Sequence, residues 1–311
     1  MSGTLPANDP ECLDFASDSV ELLIEARPRE VGGFAVRRAL PSMRRRLVGP
    51  FIFFDHIGPV RLPPGIGLDV RPHPHIELAT VTYLFDGEID HRDSLGSMQT
   101  IRAGDVNWML AGRGIVHSER SSAESRRAGV HIHGIQSWVA LPIEHELTEP
   151  RFEHHASSAI PKVRLGGARL EIIAGAAYGE RSPVGVRSPT LYVHARLDAG
   201  ARIAVDATHE ERAIYVAEGK VDCDGRTFRP GTLVVLRPGA DVAIAAEEPT
   251  RVMLVGGAKL AGDRHIDWNF VSSSKERIER AKDDWEKGRF PKVPGDEVEF
   301  IPLPDVPKNS A

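Results

Sequence analysis

Cysteine and long apolar runs are both scarce in this chain, and each absence excludes a class of protein. The 311 residues contain only two cysteines, Cys12 and Cys223, which lie far apart. A disulfide-stapled fold is therefore not expected, and we predict two reduced thiols. No apolar run reaches membrane-spanning length, and the N-terminus is polar and acidic where a signal peptide would be basic and then apolar. We therefore predict a cytoplasmic protein without membrane contact.

An excess of positive charge is also lacking. Lysine and arginine number 39 against 44 aspartates and glutamates, which gives a net charge of −5. General affinity for nucleic acid depends on cationic contacts to phosphates, so direct nucleic-acid binding is not expected. The hydrophobic content of 41% is enough to fill two cores, and the 29 glycines and 23 prolines favour short strands and turns over long helices.

Two couples of metal-binding side chains are present, His73-Pro74-His75 and His117-Ser118-Glu119. Residues i and i+2 of a β-strand project from the same face. Two adjacent strands carrying these couples could therefore surround one ion with three imidazoles and one carboxylate. Such a ligand set suits a transition metal with open positions for dioxygen or a chelating substrate, and the residues alone leave Fe, Mn, Co, Ni and Cu open.

Glycine spacing around the couples strengthens this interpretation. Gly67 precedes His73 in the pattern G-x5-H-x-H, and Gly112 and Gly114 permit a tight reversal that returns His117 towards the first couple. This pattern is that of a cupin motif. Many cupins place a glutamate four or five residues after the second histidine, where this chain has Ala79 and Thr80. Glu119 is then the candidate acidic ligand.

Several longer stretches resemble the pirin family, a group of two-domain cupins. They include His73-Pro74-His75, residues 80–84 (TVTYL), residues 104–109 (GDVNWM), residues 111–119 (AGRGIVHSE) and residues 136–142 (QSWVALP). The resemblance covers about residues 20 to 300. It implies a mononuclear non-haem iron site in the N-terminal domain, with iron bound by His73, His75, His117 and Glu119.

An internal duplication predicts the domain organisation. Residues 83–90 (YLFDGEID) are echoed by residues 215–222 (YVAEGKVD). We predict an all-β bicupin of two β-barrels with a C-terminal helix. The predicted parts are a disordered N-terminus (1–18), a metal-binding barrel (19–150), a barrel without metal (161–270), and a helix with an extended tail (271–311). Residues 149–161 are the predicted linker.

The duplication also indicates that the second barrel lacks a metal centre. The positions that correspond to the four ligands are apolar, namely Val205, Ala207, Ile244 and Ala246. His209 is then predicted to be a surface residue. For His131-Ile132-His133 we favour hydrogen-bonded structural roles, because no acidic couple accompanies this pair. Glu77, two residues beyond His75, could be a second acceptor on the ligand face, a general base or a salt-bridged residue.

Two functions agree with these residues. The first is a dioxygenase of the type of quercetin 2,3-dioxygenase, which the resemblance implies, with a small flavonol or catechol-like substrate and Glu119 as the group that accepts its hydroxyl proton. The second, also implied by the resemblance, is a non-enzymatic, iron- and redox-responsive regulator that binds a transcription factor or a metabolic enzyme. We favour the enzyme, because the open metal positions suit a chelating substrate.

Overall fold

The computed structural model describes residues 10–14, 17–31 and 33–304. The first part of the chain contains twelve strands and one short helix: β1 (Glu11–Asp14), β2 (Val20–Glu25), β3 (Arg27–Val31), β4 (Phe34–Leu40), β5 (Phe51–Leu62), β6 (Asp69–His75), β7 (Leu78–Asp93), β8 (Met98–Arg102), β9 (Val106–Leu110), β10 (Ile115–Arg120), α1 (Ala123–Ala128), β11 (Val130–Ala140) and β12 (Arg151–His155). A 3₁₀ turn (Ile143–His145) separates the last two strands.

The second part of the chain contains thirteen strands followed by one helix: β13 (Lys162–Leu165), β14 (Ala168–Ala177), β15 (Glu180–Arg181), β16 (Thr190–Leu197), β17 (Arg202–Ala204), β18 (Glu211–Glu218), β19 (Val221–Cys223), β20 (Arg226–Phe228), β21 (Thr232–Leu236), β22 (Ala243–Ala245), β23 (Thr250–Gly257), β24 (His265–Asp267), β25 (Phe270–Ser272) and α2 (Lys275–Glu286). None of the described helices is both long and apolar enough to cross a membrane.

The N-terminal half is organised around the long strand β7. The first part of β7 lies in a sheet with the order β12-β9-β7-β11-β5-β4-β3, and its second part pairs with β8 and β10, the latter also pairing with β6. Side chains of both groups, such as Phe34, Leu84, Val70 and Ile101, share one core. The first seven residues of β7 are all buried, because one face covers this core and the other faces the C-terminal half.

The C-terminal half is a sandwich of two sheets. Nine strands form the larger sheet, in the order β1-β2-β21-β18-β23-β16-β14-β13 with β15 attached to β14, and β17-β22-β19-β20 form the smaller one. Their facing side chains, for example Val193, Ile214, Phe228 and Ile244, form a second core. Neither large sheet closes on itself within the described residues. The all-β fold and the C-terminal helix are confirmed, but the predicted barrels are open.

The first two strands belong to the C-terminal half, which corrects our domain boundaries. Strand β1 pairs with β2, and β2 pairs with β21, with Leu23 opposite Val234. The predicted disorder over residues 1–18 is wrong for Glu11–Asp14, while residues 1–9, 15 and 16 lie outside the described residues. The N-terminal domain does not begin at residue 19, because β2 covers the edge of β21 and buries Leu23 in the C-terminal core.

The predicted linker over residues 149–161 also contains a strand. Strand β12 extends the N-terminal sheet by pairing with β9, with Phe152 opposite Met109. The ring of Phe152 stacks on that of His91 at 4.3 Å between centroids. This burial explains why the segment is part of the sheet rather than a free connection.

A third and larger core joins the two halves. It combines side chains from the outer face of the N-terminal sheet with side chains from the larger C-terminal sheet. Among its buried members are Phe51, Phe54, Tyr83, Trp108, Ile173, Tyr192, Tyr215 and Leu233. Because this core is apolar and continuous, the two halves pack as one body.

Two adjacent serines have different roles at the start of helix α2. The side chain of Ser274, not Ser273, accepts the backbone N–H of Arg277 and caps the helix, whereas Ser273 donates to Glu146 at 2.7 Å. After the helix, residues 289–304 cross the N-terminal half, and we call this segment the C-terminal strap. The backbone N–H of Ile301 donates to the carbonyl of Pro72 at 2.9 Å, which holds the strap beside strand β6.

Candidate metal centre

Strands β6 and β10 bring the predicted histidines together. The two strands are antiparallel neighbours, with His73 directly opposite His117. Residues His73 and His75 share a face of β6 because they are two positions apart. All three side chains therefore point into the same region between the two strand groups of the N-terminal half.

The three histidines form a compact and buried cluster. Their candidate ligand atoms all lie within 4.8 Å of one another. The ring centroids of His73 and His117 are 4.4 Å apart, and His75 is 5.0 Å from each of the other two. The most exposed of them is only 6% accessible. The three histidines of the two couples therefore lie at one site, as expected.

Two of the three histidine rings, those of His73 and His75, use one nitrogen in a hydrogen bond and keep the other nitrogen free. The Nδ1–H group of His73 donates to the carbonyl of Arg71 at 2.8 Å, and that of His75 donates to the carbonyl of Asn269 at 2.9 Å. These bonds place the lone pair on Nε2, which is how metal-binding histidines are usually oriented. Asn269 belongs to the turn between β24 and β25, so a segment close to the C-terminus orients a residue of the cluster.

His117 gives the clearest sign that a ligand belongs here. Both of its ring nitrogens are buried, and neither has a hydrogen-bond partner among the described residues. An unsatisfied buried polar group costs about 1–3 kcal/mol, and coordination of one nitrogen removes part of that cost. Burial also lowers the pKa of His73 to about 4 and the pKa of His75 and His117 well below 6.5. Neutral imidazoles are the form that binds a metal ion, so these residues fit one.

Glu119 lies on the wall of the same cavity but outside the cluster. The strand pairing shifts between His117 and Glu119, which marks a β-bulge. The Glu119 carboxylate accepts a hydrogen bond from the Thr82 hydroxyl at 3.3 Å, and burial raises its pKa. Glu119 is not among the residues whose candidate ligand atoms lie within 4.8 Å of one another. Glu119 as the fourth ligand stays a prediction.

A buried couple that sequence reasoning missed stands beside the cluster. His91 and Asp93 lie on β7 opposite Glu119 and His117. The Nε2 atom of His91 is 3.1 Å from an oxygen of Asp93, and the rings of His91 and His117 are 5.3 Å apart. The H-x-D spacing offered only a weak signal, because two such side chains share a face if the segment is a strand. Its distance in sequence from the other histidines hid the connection.

The cluster borders a cavity of about 420 Å³. Most of its wall is apolar, with Phe34, Phe53, Leu84 and Trp138 among the lining residues, and the polar lining includes Arg38, Asp55, Thr82, Gln136 and Glu119. Trp268, Asn269 and Ile301 contribute from the C-terminal part of the chain. Three other large aromatic residues do not line this cavity. Phe51, Phe54 and Trp108 lie in the core between the halves.

Glu77 does not share the ligand face. Strand β6 ends at His75, and Glu77 has a positive φ of 58° that turns its side chain elsewhere. Its carboxylate pairs with Arg277 at 3.2 Å, and burial raises its pKa to about 7. Of the three roles that the sequence left open, the contacts agree with a salt-bridged residue that joins helix α2 to the sheet.

The remaining histidines occupy structural positions. His131 Nδ1 lies 3.0 Å from Asp86 at the surface, and His133 is buried between the halves, so both have the hydrogen-bonded roles that we favoured. His209 is half-buried rather than fully exposed and lies 2.8 Å from the carbonyl of Ala176. The positions Val205, Ile244 and Ala246 are buried in the C-terminal core. A second half without metal stays a prediction.

Comparison with known proteins agrees with this fold. Residues 33–139 match the Pirin family, and residues 192–291 match the Pirin C-terminal cupin domain. A pirin-like protein of Caulobacter vibrioides is 49% identical over 289 residues, which cover 92% of this chain and 100% of that protein. Pirin-like protein 2 of Arabidopsis thaliana is 32% identical, covering 89% of this chain and 86% of that protein.

A solved structure extends the agreement to three dimensions. The crystal structure of quercetin 2,3-dioxygenase from Acinetobacter baumannii superposes with a TM-score of 0.86 at 32% identity, covering 93% of this chain and 96% of that chain. The matched regions include both halves of the molecule, so the bicupin architecture is confirmed. This chain therefore belongs to the pirin family.

Proposed function

We propose that the protein is a mononuclear non-haem iron dioxygenase that acts on a flavonol or a catechol-like substrate. The observation that carries this proposal is the convergence of three buried imidazoles beside a largely apolar cavity, whose wall includes His73 and His75. The name of the similar Acinetobacter baumannii structure supports the same class of reaction.

His73, His75, His117 and Glu119 are the residues that would hold the metal. When bound, it supplies Lewis-acid polarisation of neighbouring substrate oxygens and the redox chemistry that dioxygen requires. The two nitrogens that are anchored by backbone carbonyls keep the imidazoles of His73 and His75 in one orientation. That support allows the site to form without rearrangement of the strands.

The cavity walls supply binding, orientation and exclusion of water. Phe53 and Trp138 stack on each other at 4.0 Å and contribute apolar surface to the cavity wall. Glu119 accepts the hydroxyl proton of the substrate. Burial raises the pKa of this carboxyl, which makes it a stronger base, and the Thr82 hydroxyl holds one of its oxygens in place.

The test is reconstitution of the full-length protein without oxygen, separately with Fe, Mn, Co, Ni and Cu, followed by measurement of oxygen uptake against a panel of flavonols and catechols. We expect turnover with iron. The variant Glu119→Gln should keep iron through the three histidines and lose about 10²- to 10⁴-fold in rate. Absence of oxygen uptake with every metal and substrate would refute the enzyme and favour the iron-responsive regulator.

A further inference from the structure

We infer that the cavity recognises a planar aromatic substrate by an anionic oxygen, a carboxylate or an ionised phenol, which binds the guanidinium of Arg38. This inference rests on the proposed function, because it concerns the same cavity. It adds a class of substrate and an orientation: the oxygens that chelate the metal are at one end of the molecule, and the acidic group is at the other.

A continuous wall of planar groups leads from the histidine cluster to Arg38. The rings of Trp138 and His75 lie 4.9 Å apart between centroids in a T-shaped arrangement. Phe53 stacks on Trp138 at 4.0 Å and an interplanar angle of 12°. The guanidinium carbon of Arg38 lies 4.3 Å from the centre of the Phe53 ring. Two aromatic side chains thus separate the metal end of the cavity from a cation.

Arg38 is oriented by Asp55 and keeps donors for a ligand. Its Nε and Nη2 atoms donate to the two carboxylate oxygens of Asp55 at 2.8 and 2.7 Å. Asp55 is 3% exposed, so the pair is fixed in position. Among the described residues, no side chain or backbone group accepts a hydrogen bond from its Nη1 atom, and Arg38 lines the cavity. A fixed guanidinium with unused N–H groups is a suitable receptor for a carboxylate.

Charge at this end of the cavity also favours an anion. Arg29 lies on β3 opposite Val36, a residue of the cavity wall, and its charge lowers the pKa of the Asp55 carboxyl, in opposition to the larger effect of burial. Its Nε atom is buried without a hydrogen-bond partner. Asp55 therefore lies in the field of two guanidinium groups, and only Arg38 is hydrogen-bonded to it. Glu30 also lines the cavity but is exposed to water, where solvent screens its charge.

The experiment compares two flat probes that differ in charge, 2-naphthoate and 2-naphthamide. Binding to the full-length protein is followed by quenching of tryptophan fluorescence, since Trp138 and Trp268 line the cavity. The measurement is made on the metal-loaded protein and again after removal of the metal. We expect naphthoate to bind about 10- to 100-fold more tightly than naphthamide in both forms, the usual difference for a hydrogen bond to a charged group.

Two variants test whether Arg38 causes the preference for naphthoate over naphthamide. Arg38→Met should abolish the difference between the probes while naphthamide still binds. The double variant Arg38→Met with Asp55→Asn should do the same without leaving Asp55 as an unpaired buried charge. Arg164→Gln, at an exposed position of β13, should behave as the wild type.

The inference is overturned if the wild type binds both probes equally or neither, if the preference survives in both variants, or if it exists only when metal is bound. The last result would place the anion at the metal. None of these readings depends on oxygen uptake, so an inactive protein that prefers naphthoate would refute the proposed dioxygenase and leave the anion site standing.

Discussion

His117 differs from its two partners in having no protein group at either ring nitrogen. His73 and His75 are each oriented by a backbone carbonyl, and they can keep their positions without a metal ion. The orientation of His117 depends on the ion itself and on packing against His91. We therefore regard His117 as the residue most sensitive to loss of metal.

We predict that His75→Ala and His117→Ala each abolish stoichiometric metal binding, because each removes a coordinating nitrogen. His131→Ala and His209→Ala are the matched controls and should leave metal content nearly unchanged, since these side chains contact Asp86 and the carbonyl of Ala176. Metal per chain is measured by elemental analysis after reconstitution. Equal loss in His131→Ala would contradict the ligand assignment.

At the residue scale, the sequence predicted what depends on local spacing. His73, His75 and His117 could be found because two-residue spacing on a strand fixes a shared face. Arg38 and His91 could not be identified in the same way. Their proximity to the cavity depends on which strands pair, and neither lies in a motif that specifies its partner.

At the scale of elements, the position of the C-terminal strap was the feature that the sequence predicted least well. Its prolines predicted an extended tail, but not its position beside the metal centre. Asp296 accepts two hydrogen bonds from Arg120, both at 2.7 Å, and Arg120 is the neighbour of Glu119 on β10. Ile301 lines the cavity and packs against the N-terminal core.

We predict that Asp296→Asn loosens the strap. Loss of the buried, charged partner of Arg120 removes about 1.5–3 kcal/mol, so exchange of the Ile301 amide hydrogen should accelerate about tenfold or more. Glu299→Gln is the control, because Glu299 also pairs with Arg120 but is more than half exposed and should have a smaller effect. Hydrogen exchange followed by mass spectrometry gives the measurement. Unchanged exchange at Ile301 would show that packing alone holds the strap.

The strands β2 and β12 illustrate a second limit of sequence reasoning. Residues 20–24 (VELLI) have the apolar character of a strand, and β2 forms there. Alternation does not specify the neighbour of a strand, however, and β2 lies in the C-terminal sheet while β12 lies in the N-terminal one. The internal duplication indicated two repeated units. It gave no information on which of the two sheets a strand outside the repeat would join.

At the scale of the whole molecule, the core between the halves determines what a single half can do. We predict that a fragment of residues 10–150 is poorly soluble, because Phe51, Tyr83 and Trp108 lose the C-terminal side chains that cover them. The soluble fraction after expression is compared with that of the full chain, and co-expression with residues 151–311 should restore it. A soluble, monomeric fragment would contradict the prediction.

Stability should also depend on pH through histidines buried between the halves. The Nε2 atoms of His56 and His133 lie 2.8 Å apart, and His133 Nδ1 is 3.2 Å from Glu218. Burial lowers the pKa of His133 to about 4 and that of His56 to about 2. Below about pH 6.5 the unfolded chain binds protons that the folded protein excludes. Acidification towards pH 4 therefore reduces the free energy of unfolding, by about 1.4 kcal/mol per pH unit for each such histidine.

The variant His133→Asn tests this dependence. Urea unfolding between about pH 5 and 7 should show a slope shallower by about one proton than in the wild type, because one group no longer titrates in the unfolded chain. His131→Asn, at the surface, is the control and should change the slope much less. An unaltered slope in His133→Asn would mean that this residue is protonated in the folded protein.

The placement of β2 has a consequence for biosynthesis. Its native partner β21 spans Thr232–Leu236, so the ribosome makes β2 long before it makes β21. Until then only β1 can pair with β2, Leu23 lacks the C-terminal side chains that cover it, and the nascent chain carries an apolar segment suited to chaperone binding. The larger C-terminal sheet is therefore complete only when strands made early and late in translation have paired.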